Sequence, residues 1–178
     1  LVWLSSNVNK LDTDIPYYTD KIDEIAKRPV REFLEKKEFS LGVNTPHVVL
    51  NYLDFLLWKR DPNVDFAFEF RNSVEHWYPR NPSEGTFERW EDDVDRFGNL
   101  CLIQRNVNSR FSNMSPEAKK STFKDMIKKG SLKLRIMGVK TQGNNASQQW
   151  KDTICAQHEQ EMLDLLKEET ESEEKSKI

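Results

Sequence analysis

The sequence contains little cysteine and little histidine, and it has no long apolar segment. Its 178 residues include two cysteines and three histidines. Cys101 and Cys155 form no C-x-x-C pair, and Cys155 with His158 does not make a structural zinc site, so neither a disulfide framework nor a zinc motif is indicated. No run approaches the about 20 apolar residues that a membrane span needs. These absences favour a cytoplasmic protein in a reducing compartment that spans no membrane.

The N-terminus also lacks features that would assign it a targeting role. "LVWLSSNVNK" has neither the basic nor the apolar region of a signal peptide, and it does not begin with methionine, so we expect a piece of a longer protein. Hydrophobic residues make up 37% of the chain and include five tryptophans and ten phenylalanines, which predicts a globular domain with an aromatic core. We expect a single domain over residues 1–168 and an acidic, disordered tail over 169–178.

The net charge of −3 conceals a separation of charge along the chain. Residues 96–140 hold eleven lysines or arginines and two acids, a local charge of +9, whereas residues 159–178 hold eight acids and three lysines, a local charge of −5. A basic block beside an acidic end is typical of proteins that bind polyanions. The alternative is that these lysines only solvate helices.

Hydrophobic periodicity predicts a mainly helical α+β domain built around a small hairpin. Residues 12–39 read as helix, with Pro29 marking either a break or a new start, and 45–62 as a second helix with Thr45 as N-cap and Pro46 as its first residue. Alternation of Phe66, Phe68 and Phe70 predicts a strand within 64–79. Further expected elements are a short helix over 87–97, a strand at "NLCLIQ", a helix that starts at Ser115-Pro116-Glu117, and a closing helix that carries Trp150, Ile154, Met162 and Leu165.

One histidine lies in a context that suggests chemistry. Glu75-His76 ends the first predicted strand, while Asn99 opens the second and Asn108 lies in the helix that follows. Hydrolysis of a phosphodiester needs a base of near-neutral pKa, which histidine provides, and a hard cation, which prefers carboxylate and amide oxygens. The two segments together therefore favour a metal-dependent active site over a structural histidine.

These segments also carry a family resemblance. "VEHWYPRNP" followed by "FGNLCLIQRNVNSRFSNMSPEAKKSTF" resembles the C-terminal nuclease domain of GmrSD-type, modification-dependent restriction enzymes, which belongs to the His-Me finger, or HNH, superfamily. The matching positions are the acid-His pair with Pro79, Asn99, the asparagine nine residues later, Ser112-Asn113 and Lys119. The resemblance implies a ββα-metal finger over about residues 66–125, between flanking helices at 12–60 and closing helices at 126–168.

The resemblance also implies roles for single residues. His76 would be the general base, Glu75 and Asn108 would hold one Mg²⁺ or Mn²⁺ ion, and Asn99 would brace the catalytic loop. Phosphate contacts would come from Lys119, with Arg105, Arg110 and Asn113 as further candidates. Two positions depart from the family pattern: Glu75 stands where aspartate is common, and Trp77 is bulkier than the usual aliphatic residue.

The function expected from the resemblance is DNA cleavage in a bacterial system that restricts phage. DNA, with or without modified bases, would be the substrate, and a nucleotide-hydrolysing N-terminal domain or subunit would be the partner. Two alternatives stay open. The chain could be a nucleic-acid-binding module without catalysis, or a helical interaction domain that docks on the nucleotide-hydrolysing partner.

Overall fold

The computed structural model describes residues 11–82, 90, 93–141 and 150–171. In this part of the chain, the fold consists of seven helices, two strands and two short 3-10 turns at Gly42–Asn44 and Phe97–Asn99. The strands are β1 (Ser73–His76) and β2 (Leu100–Ile103). The helices are α1 (Leu11–Lys36), α2 (His47–Arg60), α3 (Arg105–Phe111), α4 (Pro116–Thr122), α5 (Lys124–Lys128), α6 (Leu132–Lys140) and α7 (Asp152–Glu171).

The two strands form an antiparallel pair whose two faces are both buried. The register runs from Ser73 opposite Ile103 to His76 opposite Leu100. Because side chains alternate between the faces of a strand, Val74 and Leu102 point into one hydrophobic cluster, and Cys101 and Ile103 into another. The predicted α+β fold with a hairpin among helices is therefore confirmed.

The first cluster joins the hairpin to α1, α2 and α7. Its largest members on α2 are Tyr52, Phe55 and the leucines at 50, 53 and 56, all at most 2% exposed. The second cluster covers the opposite face and includes Trp77, Phe111, Leu134, Met137 and Trp150. Burial of such aromatic and aliphatic surface is the main force that holds the hairpin in place.

The last described helix reaches into the acidic C-terminal segment. Helix α7 continues to Glu171, so residues 169–171 are helical, and residues 172–178 lie outside the described part. Lys59 bonds Glu169 at 3.2 Å, and Arg31 donates to the carbonyl of Thr170 at 3.1 Å. These contacts with α1 and α2 explain why the helix extends into the predicted tail.

The prediction of a strand over residues 64–70 was wrong. Only Ser73–His76 form a strand, and residues 65–70 have no regular structure. The rings of Phe66 and Phe68 pack edge to face with their centres 4.9 Å apart, while Phe70 is exposed. An alternating pattern needs a neighbouring strand to form a ladder, and β2 is only long enough to pair with 73–76.

Helix boundaries also differ from the predictions. Helix α1 is continuous through Pro29, and Pro46 rather than Thr45 is the N-cap of α2. The helix predicted over 87–97 falls partly outside the described residues, and residues 97–99 form a 3-10 turn. The start of α4 is confirmed, because the Ser115 hydroxyl accepts a bond from the Ala118 N–H at 3.2 Å. Within the described residues, no helix combines the length and apolar character that crossing a membrane requires.

A buried carboxyl on α2 makes the stability of the fold depend on pH. Asp54 is 4% exposed and accepts a bond from the Lys133 N–H at 3.0 Å. Burial raises the pKa of Asp54 to about 6 from 3.8, against the bond from Lys133 and the charge of Arg71. Because the folded-state pKa lies above the unfolded value, the folded protein is favoured while Asp54 is protonated. This contribution to the free energy of unfolding is fully present below pH 3.8 and is lost as pH rises through about 6.

Replacement of Asp54 by asparagine should therefore remove this pH dependence. Asparagine keeps the oxygen that accepts the Lys133 N–H but cannot ionise. We expect Asp54→Asn to raise the free energy of unfolding by about 2 kcal/mol at neutral pH and to change it little near pH 4. Urea unfolding at both pH values measures this, with the exposed Asp125→Asn as the control. An equal effect of Asp54→Asn at the two pH values would contradict the explanation.

Candidate active site

Glu75 and Lys119 form a buried ion pair between β1 and α4. The Lys119 Nζ lies 2.6 Å from the Glu75 Oε1, and the two side chains are 0% and 7% exposed. The same Nζ donates to the carbonyls of His76 and Trp77 at 2.8 and 3.0 Å. Lys119 thus satisfies one carboxylate and two backbone carbonyls, which explains how α4 fixes the end of β1.

Burial of the two charges of this ion pair has an electrostatic cost. Burial raises the pKa of Glu75 and lowers the pKa of Lys119, while the opposite charge of each partner opposes both shifts. With no exposed surface, the Lys119 ammonium is not available to a DNA phosphate in this structure. The structure thus gives Lys119 a place different from the phosphate contact predicted by the sequence.

His76 faces away from Glu75 and bonds a residue that the sequence did not single out. The His76 Nε2 lies 2.7 Å from the Oδ1 of Asp95, and the histidine side chain is 10% exposed. The second oxygen of Asp95 bonds the Arg80 Nη2 at 3.1 Å. Burial lowers the pKa of His76, and the bond and charge of Asp95 oppose this shift. The lowered pKa favours the neutral imidazole that a general base must have at pH 7.

Asn99 is fully buried and holds the loop that follows His76. Its Oδ1 accepts bonds from the Tyr78 N–H at 2.8 Å and the Trp150 Nε1 at 3.1 Å. Its Nδ2 donates to the carbonyls of Tyr78 and Val94 at 2.9 and 2.8 Å. One amide therefore ties together the start and the end of the connection between the strands. This geometry is compatible with the predicted bracing role.

Asn108 lies on α3, on the side of β1 that also carries Glu75. Its Nδ2 donates to the Ser73 Oγ at 2.6 Å. Ser73 and Glu75 are two residues apart in the strand, so their side chains share a face. The bond to Ser73 orients the amide and leaves its Oδ1 as the oxygen that Asn108 can offer to another group.

A comparison with known protein families places the whole chain rather than its individual site residues. The family described as GmrSD restriction endonucleases, C-terminal domain, matches residues 21–165. The chain belongs to this family. Membership confirms the resemblance seen in the sequence and implies a nuclease domain of a restriction system, with DNA as substrate and an N-terminal GmrSD region as partner. No curated protein and no solved structure gives a significant match.

Many cations in the basic block of this GmrSD domain form ion pairs or hydrogen bonds with other residues of the protein. Arg96 bonds Asp152 at 2.7 Å and Glu159 at 3.0 Å, and Lys140 bonds Glu161 at 3.0 Å. Lys133 is buried and donates to the carbonyls of Phe97 and Leu100. Among the described residues, five cations of the block are exposed and form no ion pair: Arg105, Arg110, Lys124, Lys128 and Lys129. They define a basic surface on α3, on α5 and at Lys129 directly after α5.

The predicted phosphate contacts divide between this surface and the core. Arg105 and Arg110 lie on α3 with Asn108, and the Arg110 guanidinium lies 5.6 Å above the ring centre of Phe123. Asn113 is exposed in the turn after α3. Lys119 alone is buried, so the candidates that can meet a polyanion in this structure are the two arginines and Asn113.

The donor chemistry of this GmrSD domain fits a hard cation with few protein ligands. Glu75 keeps Oε2 beside the oxygen that bonds Lys119, and Asn108 keeps Oδ1. Mg²⁺ commonly takes one or two carboxylates and retains waters or substrate phosphates. In the described residues no cluster of three or more His, Cys, Asp or Glu side chains could hold a metal ion. A cation here would therefore depend on Glu75, Asn108, water and the phosphate itself.

The sequence alone missed Asp95 and Arg80. Asp95 lies in "FERWEDDVDRF", where five acids crowd together without a spacing that distinguishes one of them. The role predicted for His76 does imply one further residue, because a general-base histidine needs an acceptor for its second ring nitrogen. That requirement says an acceptor exists but not which residue supplies it.

Proposed function

We propose that the chain is a metal-dependent DNA endonuclease domain of the HNH type, in which β1, β2 and α3 form a ββα-metal finger. One observation carries the proposal: Glu75-His76 ends a strand that is paired with β2, and α3 brings Asn108 to the face of Glu75. Family membership supports a restriction role directed against phage in the bacterial cytoplasm. The partner would be a nucleotide-hydrolysing N-terminal region.

His76 would act as the general base. Its Nε2 is bonded to Asp95, which leaves Nδ1 to take the proton of an attacking water. The resulting hydroxide forms a bond to phosphorus while the bond from phosphorus to the 3′ oxygen breaks. Asn99 keeps the loop after His76 in place through both backbone groups of Tyr78.

Glu75 and Asn108 would hold one Mg²⁺ or Mn²⁺ ion. When bound, such an ion stabilises negative charge on the phosphate in the transition state. Arg105, Arg110 and Asn113 would contact backbone phosphates on either side of the cleaved bond. Lys119 has a different role in this proposal, because it neutralises and orients Glu75 from inside the protein.

A nucleic-acid-binding module without catalysis is the second candidate. The ion pair of Glu75 with Lys119 and the 10% exposure of His76 favour it, since Lys119 already bonds one carboxylate oxygen and little of the imidazole reaches the surface. The two candidates share the basic surface and differ in whether a phosphodiester bond is broken.

Incubation of the chain with supercoiled plasmid in Mg²⁺ or Mn²⁺ separates these candidates. The nuclease predicts nicked and linear DNA that disappears when a chelator is added, and a matched RNA shows whether DNA is preferred. Binding of the plasmid without cleavage in either ion would favour the binding module. Absence of both binding and cleavage would leave the interaction domain as the better hypothesis.

The basic surface should govern affinity for DNA through salt-dependent binding to phosphates. We expect the double variant Lys128→Glu and Lys129→Glu to bind DNA at least about 10-fold more weakly and to lower the salt slope by about one for each phosphate that is no longer neutralised. Lys36→Glu, an exposed change on α1, is the matched control. Fluorescence anisotropy across a range of salt concentrations measures both quantities. An unchanged slope in the double variant would place the DNA elsewhere.

A further inference from the structure

Asp95 is held in place by contacts from four directions. Its carboxylate bonds the His76 Nε2 at 2.7 Å and the Arg80 Nη2 at 3.1 Å. Its N–H donates to the Asp93 Oδ1 at 3.1 Å, and its carbonyl accepts the Gly42 N–H at 3.0 Å. A surface acid that merely solvates a loop would not have its carboxylate, amide and carbonyl all engaged.

Gly42 shows how closely the chain is built around this carboxylate. It has a φ of 51°, in the left-handed region that favours glycine, and a Cβ added there would lie 2.6 Å from the Asp95 Oδ1. Any larger residue would therefore push on the oxygen that bonds His76. The 3-10 turn at Gly42–Asn44 is in this way part of the support for the histidine.

We infer that Asp95 is a positioning residue for His76, an inference that rests on the proposed nuclease function. An ionised carboxylate can only accept a hydrogen bond, so the Nε2 carries the proton and the lone pair lies on Nδ1. When Nδ1 takes the proton of water, both ring nitrogens become donors and the charge of Asp95 stabilises the imidazolium. Arg80 bonds the second oxygen and restricts rotation of the carboxylate.

The histidine tautomer tests this inference without reference to cleavage. ¹⁵N-resolved NMR at alkaline pH, where His76 is neutral, should show the proton on Nε2 in the wild-type chain and a mixture of tautomers in Asp95→Ala. His47 is exposed at the start of α2 and serves as an internal reference in the same spectra. A proton on Nδ1 of His76 in the wild type, or an identical spectrum in Asp95→Ala, would overturn the inference.

Cleavage kinetics give the second, independent readout. We expect kcat to fall about 100-fold in Asp95→Ala and about 10-fold in Asp95→Asn, which keeps an acceptor but not the charge, with KM for DNA unchanged. Asp61→Asn, an exposed acid after α2, is the control. In a chain that already carries His76→Ala, Asp95→Ala should cost nothing further, because the residue acts only through the histidine.

The outcomes separate the two claims. A wild-type chain that has the Nε2 tautomer but does not cut DNA sinks the nuclease and leaves the contact of Asp95 with His76 standing. A wild-type chain that cuts DNA while Asp95→Ala cuts equally well sinks the positioning role alone. A further decrease in rate when Asp95→Ala is added to His76→Ala shows that the effect of Asp95 is structural, and this also overturns the inference.

Discussion

Replacement of Lys119 by methionine should lower the free energy of unfolding by about 3–5 kcal/mol, since removal of one partner leaves an unpaired buried charge. Lys119 is fully buried, and its Nζ bonds Glu75 at 2.6 Å together with the carbonyls of His76 and Trp77. Methionine fills similar space among Trp77 and Phe111 but leaves three oxygens without a donor. Urea unfolding followed by tryptophan fluorescence measures the decrease.

The double variant Glu75→Gln with Lys119→Met isolates the ionic part of this decrease. It removes both charges, so we expect part of the stability to return, although the carbonyls of His76 and Trp77 still lack their donor. Lys124→Met on α5 is the control for removing an exposed lysine and should change stability by less than about 0.5 kcal/mol. A decrease of under about 1 kcal/mol in Lys119→Met would show that this lysine is not held as a buried partner of Glu75.

The ion pair shows what sequence could and could not provide at this site. A lysine within a basic block predicts contact with phosphate, because the sequence does not reveal that its partner lies 44 positions earlier on a buried strand. The structure divides the cations of the block between the core and the surface. Lys119, Lys133 and Arg96 serve the fold, and the exposed cations lie on α3 and α5.

The sequence predicted correctly those helices that depend on residues close together in the chain. The Ser115 cap and the apolar stripe of α2 determine their helices through neighbouring residues, and the structure confirms both helices. The strand expected over 64–70 failed because a strand depends on a partner distant in sequence, and β2 pairs only with Ser73–His76. The end of α7 shows the same dependence on distant residues, because contacts with α1 and α2 hold residues 169 and 170 in the helix.

The candidate site shows the same division between local and long-range information. Glu75-His76, Asn99 and Asn108 stood out because their types and spacing match a family pattern, and their catalytic and metal-binding roles stay predictions. Asp95 could not be selected, because its contact with His76 bridges 19 positions through a loop rich in acids. Sequence patterns identify candidate chemistry, whereas the residues that orient it come from the fold.

His76→Ala should lower the cleavage rate by about 10²–10⁴-fold, the range that a positioned general base contributes. DNA binding should not change, because the basic surface lies on α3 and α5 and His76 is 10% exposed. His47→Ala is the matched control, since this histidine is exposed and lies at the start of α2. Comparison of melting temperatures between the two variants separates loss of chemistry from loss of folding.

The most direct test of the nuclease is therefore the single-turnover rate of plasmid nicking in Mg²⁺ for the wild type, His76→Ala and His47→Ala. We expect equal rates for the wild type and His47→Ala, and a rate at least about 100-fold lower for a folded, DNA-binding His76→Ala. Nicking by His76→Ala at the wild-type rate would contradict the role of His76 as the general base.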